Sequence, residues 1–270
     1  MQQVVTSAAN PVIKRVRLLA ERKHRRRQNA FVVEGLQPVW RAVTAGRQLE
    51  ALIVAPELLT STPAAEMVAE LERDGVPVTR VSAGIFRRLS DRDGPAGLAA
   101  IVHGGVGGLA ELAATGESVF VVLHELQNPG NIGTIVRTAD AAGAAGVILL
   151  GTSADPLSGA SIKASMGSLF ALPVVSVAEP PELLAWAAEH GLRLIALTGG
   201  GAGELWQAPM PRPLLVMLGN EGAGLPEALL SAADQSVRIP MTGTAESLNV
   251  AAAAAVVLYE LKRRTMAGPG

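Results

Sequence analysis

Short apolar runs of strand length recur along this chain, each followed by a stretch of helical periodicity, and that alternation restricts the fold more than any other feature. Phe31–Glu34, Ala51–Ala55, Val78–Ser82 and Leu98–His103 read as strands. Helices are expected from Pro11 to about Arg27, behind an Asn10 N-cap, and over Leu36–Ala45 and Pro63–Asp74. Residues 104–117 (GGVGGLAELAATGE) then mix glycines with one weak helical turn, the composition of a linker. Beyond them the rhythm restarts with strands Val119–His124, Val147–Leu150, Val174–Val177, Leu192–Thr198, Leu214–Gly219 and Val237–Pro240. The helices between and after these strands fall at Asn131–Ala142, Ile162–Phe170, Pro181–His190 and Pro226–Ala232, with a last one from Val250 to about Arg264. Strands that alternate with helices argue for parallel sheets covered by helices. The expectation is an α/β chain of two domains, a smaller one over 1–103 and a larger one over 118–270, joined by 104–117.

Composition removes several function classes. Hydrophobic residues at 49% against 17% charged give enough apolar surface for packed cores. The chain has no cysteine, hence no disulfide framework, thiolate metal site or cysteine nucleophile, which fits a reducing, cytoplasmic setting. Val250–Leu258 is nine apolar residues, well short of the roughly 20 that span a bilayer. Charge is nearly balanced overall but not locally. The first 27 residues hold Lys14, Arg15, Arg17, Arg22, Lys23, Arg25, Arg26 and Arg27 against one acid, Glu21. That end is a candidate polyanion contact, with Lys23, Arg25, Arg26 and Arg27 as RNA-binding candidates. With only eight aromatic residues, a base-stacking sheet is not the main device, so nucleic acid would be held by phosphate and shape.

Familiar catalytic patterns are absent or poor. Gly105–Ala110 (GVGGLA) formally matches the dinucleotide fingerprint, but the helix after it is short and no acid for a ribose ends a strand about 20 residues on. No lysine follows a glycine, which excludes a P-loop, and the four histidines are too scattered for a metal cluster. No metal is expected.

Three loops stand apart. In NPGNIGTIVRTADAAGA (128–144), Asn131 is a candidate N-cap, Ile132, Ile135, Val136 and Ala139 form a buried stripe, and Arg137 lies off it. Arg137 reads either as a solvated partner of Asp140 at i+3 or as a cation leaning toward the anion-friendly helix N-terminus. In LLVMLGNEGAGLP (214–226), a buried strand runs into glycines flanking Glu221, at the sheet edge where open α/β folds bind ligands. In IPMTGTAESLNVAAAAAVVLYEL (239–261), a polar loop with Glu246, Ser247 and Asn249 precedes a helix whose Val250, Ala253, Ala254, Val257, Leu258 and Leu261 are candidates for burial.

Together and in this order, these loops resemble the signature motifs of the SpoU (TrmH-type) RNA ribose 2'-O-methyltransferases of the SPOUT class. N-x-G-x-x-x-R stands at Asn131–Arg137, followed by GNEGAGLP and IPMTGTAESLNV, while SIKASMGSLFALPV at 161–174 resembles the family's intervening segment. ANPVIKRVRLLAERKHRRR with FVVEG resembles the L30e-like substrate-binding domain joined to many members. The resemblance implies a deep trefoil knot in the carboxyl-half domain, a homodimer through it, and S-adenosylmethionine as cofactor, contacted by Gly219, Ile239 and Leu248 with Met241 and Ser247 nearby.

The reaction so implied is methylation of a ribose 2'-hydroxyl in structured RNA, 23S ribosomal RNA ahead of transfer RNA because of the appended basic domain. Such a site must hold the hydroxyl in line and stabilise charge growing on its oxygen. Arg137 fits as the fixed cation, since a guanidinium stays protonated near neutrality and cannot serve as a base. Asn131, Glu221 and Asn249 would orient the nucleotide or relay its proton. A non-catalytic RNA-binding or ribosome-assembly protein on the same fold is the rival from another class, and a nicotinamide oxidoreductase a distant third.

Overall fold

The structure is a computed structural model that describes residues 4–266. It divides into two compact units, one running to Gly105 together with Leu157–Phe170, the other comprising Val106–Pro156 and the chain from Ala171 onward.

The first unit follows the order α1 (Pro11–Leu18), α2 (Arg22–Gln28), β1 (Ala30–Glu34), α3 (Leu36–Thr44), β2 (Leu49–Val54), α4 (Thr62–Arg73), β3 (Val78–Arg80), α5 (Ala83–Leu89) and β4 (Leu98–His103). Its four strands are arranged β1-β4-β2-β3, and the sheet is mixed: β4 runs antiparallel to both β1 and β2. Ile13, Val16 and Leu19 pack with Ile53, Ile85, Phe86 and Ile101 in the core. The single amino-terminal helix expected from sequence is two helices. Glu21 is extended, and Arg25 folds back so that its Nη1 donates to the carbonyls of Leu19 at 2.9 Å and Ala20 at 2.6 Å. Those carbonyls end α1, so a side chain supplies the stop that sequence normally marks with glycine. α5 escaped the sequence reading because it is seven residues long with a glycine in its first turn; its cap is Ser82, whose hydroxyl accepts from the Ile85 amide.

The second unit contains β5 (Val119–His124), α6 (Pro129–Ala142), β6 (Gly146–Leu150), β7 (Val174–Val177), α8 (Pro180–Glu189), β8 (Arg193–Leu197), β9 (Gly203–Glu204), β10 (Leu214–Leu218), α9 (Glu227–Ala232), β11 (Gln235–Arg238) and α10 (Val250–Met266). The connection between β6 and β7 carries α7 (Gly159–Ser165), which belongs with the first unit, where Phe170 stacks on Phe31 at 6.2 Å. The seven strands lie in the order β7-β6-β5-β10-β8-β11-β9 and every neighbouring pair is parallel. β10 is buried at all five positions, as a central strand covered on both faces must be. Of the stretch read as a linker, Leu109 and Leu112 are core residues of this unit and the Gly107 carbonyl accepts from the Ser176 amide, so 106–112 is packed structure. α10 packs along α6, burying Val250, Ala251, Ala254, Val257, Leu258 and Leu261. Among the described residues no helix is long and apolar enough to cross a membrane.

Candidate active site

The carboxyl ends of β8, β10 and β11 open onto one cavity of about 580 Å³. This is the edge at which open α/β sheets place their ligands. Its walls are Leu197 to Gly199 at the end of β8, Leu218 to Gly222 with Gly224 and Leu225 at the end of β10, Ile239, Met241 and Glu246 to Asn249 after β11, and Val250 and Ala253 of α10. All five residues expected at the cofactor, Gly219, Ile239, Met241, Ser247 and Leu248, are in that lining, as are Glu221 and Asn249.

The loop after β10 is shaped by its own backbone. Asn220 and Gly224 exchange two backbone hydrogen bonds of 3.1 and 2.9 Å, with Gly224 at φ +71°. A Cβ on Gly219 would stand 2.1 Å from the Gly224 carbonyl carbon, so glycine is required there by the turn itself and not only by a ligand's approach. Sequence reasoning passed over Asn220. Its Oδ1 accepts from the amides of Gly222 and Ala223, and its Nδ2 donates to the Glu125 carbonyl at 2.8 Å, pinning this loop to the end of β5. An asparagine directly after a strand-ending glycine, in position for an Asx turn, was the available signal.

α6 begins at Pro129, two residues earlier than expected. Asn128 is the cap, accepting from the amides of Gly130 and Asn131, and Pro129 occupies the first helical position. Asn131 therefore sits in the first turn with its side chain free for other work. Its Nδ2 donates to Glu221 Oε1 at 3.0 Å, and its Oδ1 accepts from Asn249 Nδ2 at 3.3 Å. Asn249 in turn caps α10 through Oδ1, which accepts from the Ala251 amide. Residues 118 positions apart thus form one chain of hydrogen bonds, Asn249 to Asn131 to Glu221, whose two ends line the cavity while Asn131 stands outside its lining.

Arg137 is placed differently. It is exposed, lies outside the cavity lining, and makes no hydrogen bond or ion pair among the described residues, the i+3 bridge to Asp140 included. Lys23, Arg26 and Arg27 are exposed on α2, Lys23 in an ion pair with Glu21 at 2.8 Å. Arg25 departs from the expectation of an RNA contact: it is only 7% exposed, and its guanidinium caps the end of α1.

Residues 118–259 match the SpoU rRNA Methylase family and residues 10–100 the MRM3-like substrate binding domain. The chain belongs to the SpoU rRNA methylase family. It is 32% identical to the 23S rRNA (uridine(2479)-2'-O)-methyltransferase of Streptomyces viridochromogenes, over 93% of this chain and 88% of that one. It is likewise 32% identical to the 23S rRNA (guanosine(2553)-2'-O)-methyltransferase RlmP of Bacillus subtilis, over 96% and 98%. Among solved structures it resembles the SpoU methyltransferase AviRb of S. viridochromogenes in complex with AdoMet, with a TM-score of 0.88 and 31% identity over 96% of this chain and all of that one. An AdoMet-bound rRNA methyltransferase from Sinorhizobium meliloti aligns with a TM-score of 0.87 and 34% identity over 97% of each chain.

Proposed function

We propose that this protein methylates a ribose 2'-hydroxyl in structured RNA, with 23S ribosomal RNA as the substrate and S-adenosylmethionine as the methyl donor. The observation that carries the reading is the hydrogen-bonded chain Asn249–Asn131–Glu221, whose two ends line a cofactor-sized cavity. Both relatives named above modify 23S rRNA at a 2'-oxygen.

The cavity suits the cofactor on its own chemistry. Its volume falls within the roughly 300–1,000 Å³ of small-ligand sites. Leu197, Leu218, Ile239 and Leu248 offer apolar surface to an adenine ring, and the glycine loop offers backbone groups. Among the described residues no lysine or arginine lines it, whereas Glu221 and Glu246 do, a balance that favours a sulfonium cation. When bound, S-adenosylmethionine would supply an electrophilic methyl group open to in-line attack by a ribose oxygen, with neutral S-adenosylhomocysteine as the leaving group.

The chain's own residues do the rest. Asn131, held by Asn249, fixes one oxygen of Glu221, so the second carboxylate oxygen is presented in a set direction to accept the hydrogen of the 2'-hydroxyl. Arg137, six residues on from Asn131 and about 9 Å further along the helix axis, is assigned to the nucleotide, where its guanidinium binds phosphate or the growing negative charge on oxygen. The exposed Lys23, Arg26 and Arg27 hold the RNA backbone.

The same reading includes a homodimer through the second unit, a knotted path and a cytoplasmic setting. Tyr259, 54% exposed on the outward face of α10, supports a partner on that face. The insertion of β10 between β5 and β8, followed by the return of α10 to α6, supports the threaded path. Two measurements test the function. Calorimetric titration with S-adenosylmethionine should show binding, and reverse transcription at low deoxynucleotide concentration should stop at one new position in unmodified 23S rRNA. A chain that binds no S-adenosylmethionine is not this enzyme.

A further inference from the structure

The first unit holds a second cavity, of about 270 Å³, that the chemistry above does not use. It opens at the break between α1 and α2. Leu19, Val32 and Leu89 give it apolar walls; Arg25, Glu34, Asp91, Arg92 and Lys163 give it polar groups, the Glu34 carboxylate accepting from the Ser90 hydroxyl. Two of the rim cations are fixed in place. Arg25 is anchored on the Leu19 and Ala20 carbonyls. Arg92 donates Nη2 to the Glu34 carbonyl at 2.8 Å and lies over Gly35, whose φ of +106° and missing Cβ make room: a Cβ there would be 3.0 Å from Arg92 Nη1.

Those features select a ligand class. The volume is below the lower end of drug-sized pockets, so a helix or peptide segment is too large, whereas one planar ring fits. Apolar walls suit the faces of a ring, and a rim carrying both donors and a carboxylate suits an edge that itself both accepts and donates. Lys163 on the rim suits a phosphate, and Arg26 and Arg27 are exposed on the same helix that carries Arg25. A base, its edge and its phosphates together describe a nucleotide drawn out of its stack, the form in which RNA sequence is commonly read. We propose that this cavity receives a single unstacked nucleobase of the RNA substrate, with its face on Leu19, Val32 and Leu89 and its edge at Arg92 and Asp91. The proposal rests on the reading of RNA as substrate and adds to it a base-reading subsite in the amino-terminal unit.

Ala160, an exposed residue of α7 that lines the cavity, allows it to be plugged without touching a core position. Ala160→Trp should raise the Kd for unmodified 23S rRNA transcribed in vitro by about ten-fold, an effect of the size of one stacked base. Because the phosphate-binding cations are untouched, the rise should be the same at every salt concentration. Affinity for a blunt RNA duplex, which has no unpaired base, should not change, nor should the melting temperature. Ala160→Phe gives the same comparison with a smaller plug should the tryptophan lower that temperature. Unchanged affinity for the 23S transcript in a variant that melts like the wild type overturns the proposal, and so does an equal loss for transcript and duplex. RNA affinity is read without cofactor, so the methyltransferase reading fails separately, by absence of S-adenosylmethionine binding.

Discussion

The two units carry opposite charge and use their cations in opposite ways. The first has sixteen lysines and arginines against ten acids, net +6; the second has seven against fourteen, net −7. In the first, ten cations, among them Lys14, Arg17, Arg26, Arg27, Arg87 and Arg88, make no side-chain hydrogen bond or ion pair among the described residues. In the second, five of the seven are tied to carboxylates: Arg193 to Asp234, Arg212 to Glu117, Arg238 to Glu204, and Arg263 and Arg264 to Glu260. Only Arg137 and Lys262 are left over among the described residues. Attraction of a polyanion is thus concentrated in one unit, while the other keeps a field suited to a cationic cofactor and sets aside very little positive charge for the substrate. An unpaired arginine in an acidic unit has more to do there than one more cation among ten.

The most severe way to break this division is to remove that cation. Arg137→Ala should lower kcat by about 100- to 1,000-fold, the effect of deleting one preorganised charge that acts on a transition state. Kd for S-adenosylmethionine, by calorimetry, should stay unchanged because Arg137 lines no part of that cavity. Wild-type turnover in the variant would remove Arg137 from the chemistry. Next in size is the glycine loop after β10, proposed to hold the cofactor. Gly219→Ala forces a methyl into the Gly224 backbone and should cost about 1–3 kcal/mol as overpacking, read as a lower melting temperature together with weaker S-adenosylmethionine binding. RNA affinity, assigned to the other unit, should be unaffected.

How much of this was legible beforehand differs between the units for physical reasons. The large sheet could be read almost strand by strand, because central parallel strands such as β10 must be apolar at every position. The site loops were legible because glycines and polar residues interrupt those runs. The pairing of Asn249 with Asn131 was not legible, since it depends on where two helices begin in space, and the cap at Asn128 moved one of those starts. In the first unit the sequence is basic whichever way the helix turns, so it could not say that Arg25 points inward. Only the need of the Leu19 and Ala20 carbonyls for a donor decides that.

The carboxylate that ties up two cations of the second unit should matter to stability. Glu260 is 7% exposed, and hydrogen bonds from Arg263, opposed by burial and aided by Arg264, hold its carboxyl down at about 2. Arg263 is solvent-exposed and screened, so most of the stabilisation rests on Arg264, which also donates to the carbonyls of Ala208 and Leu205. A folded-state value below the usual 4.5 means that the ionised form stabilises the fold above about pH 4.5 and that this contribution is lost as pH falls toward 2. Glu260→Gln should therefore cost about 2 kcal/mol near neutrality, as loss of a charged hydrogen-bond acceptor. The melting-temperature gap from wild type should narrow between pH 5 and about pH 3; a gap independent of pH would assign the effect to packing alone.

The smallest expected effect divides the arginines of α2 among themselves. Arg26 and Arg27 are exposed and Arg25 is buried, although all three are neighbours in one basic run. Removing a cation from a phosphate should reduce the slope of log Kd against log salt by about 1, so the double variant Arg26→Gln/Arg27→Gln should flatten it by about 2 while the melting temperature holds. Arg25→Gln should do the reverse. It leaves the Leu19 and Ala20 carbonyls without their donor, lowers the melting temperature, and keeps the salt slope of the wild type in whatever fraction remains folded. Equal slopes in all three proteins would mean that the basic helix is not where the RNA backbone lies, and that the net +6 of this unit acts on approach without contact.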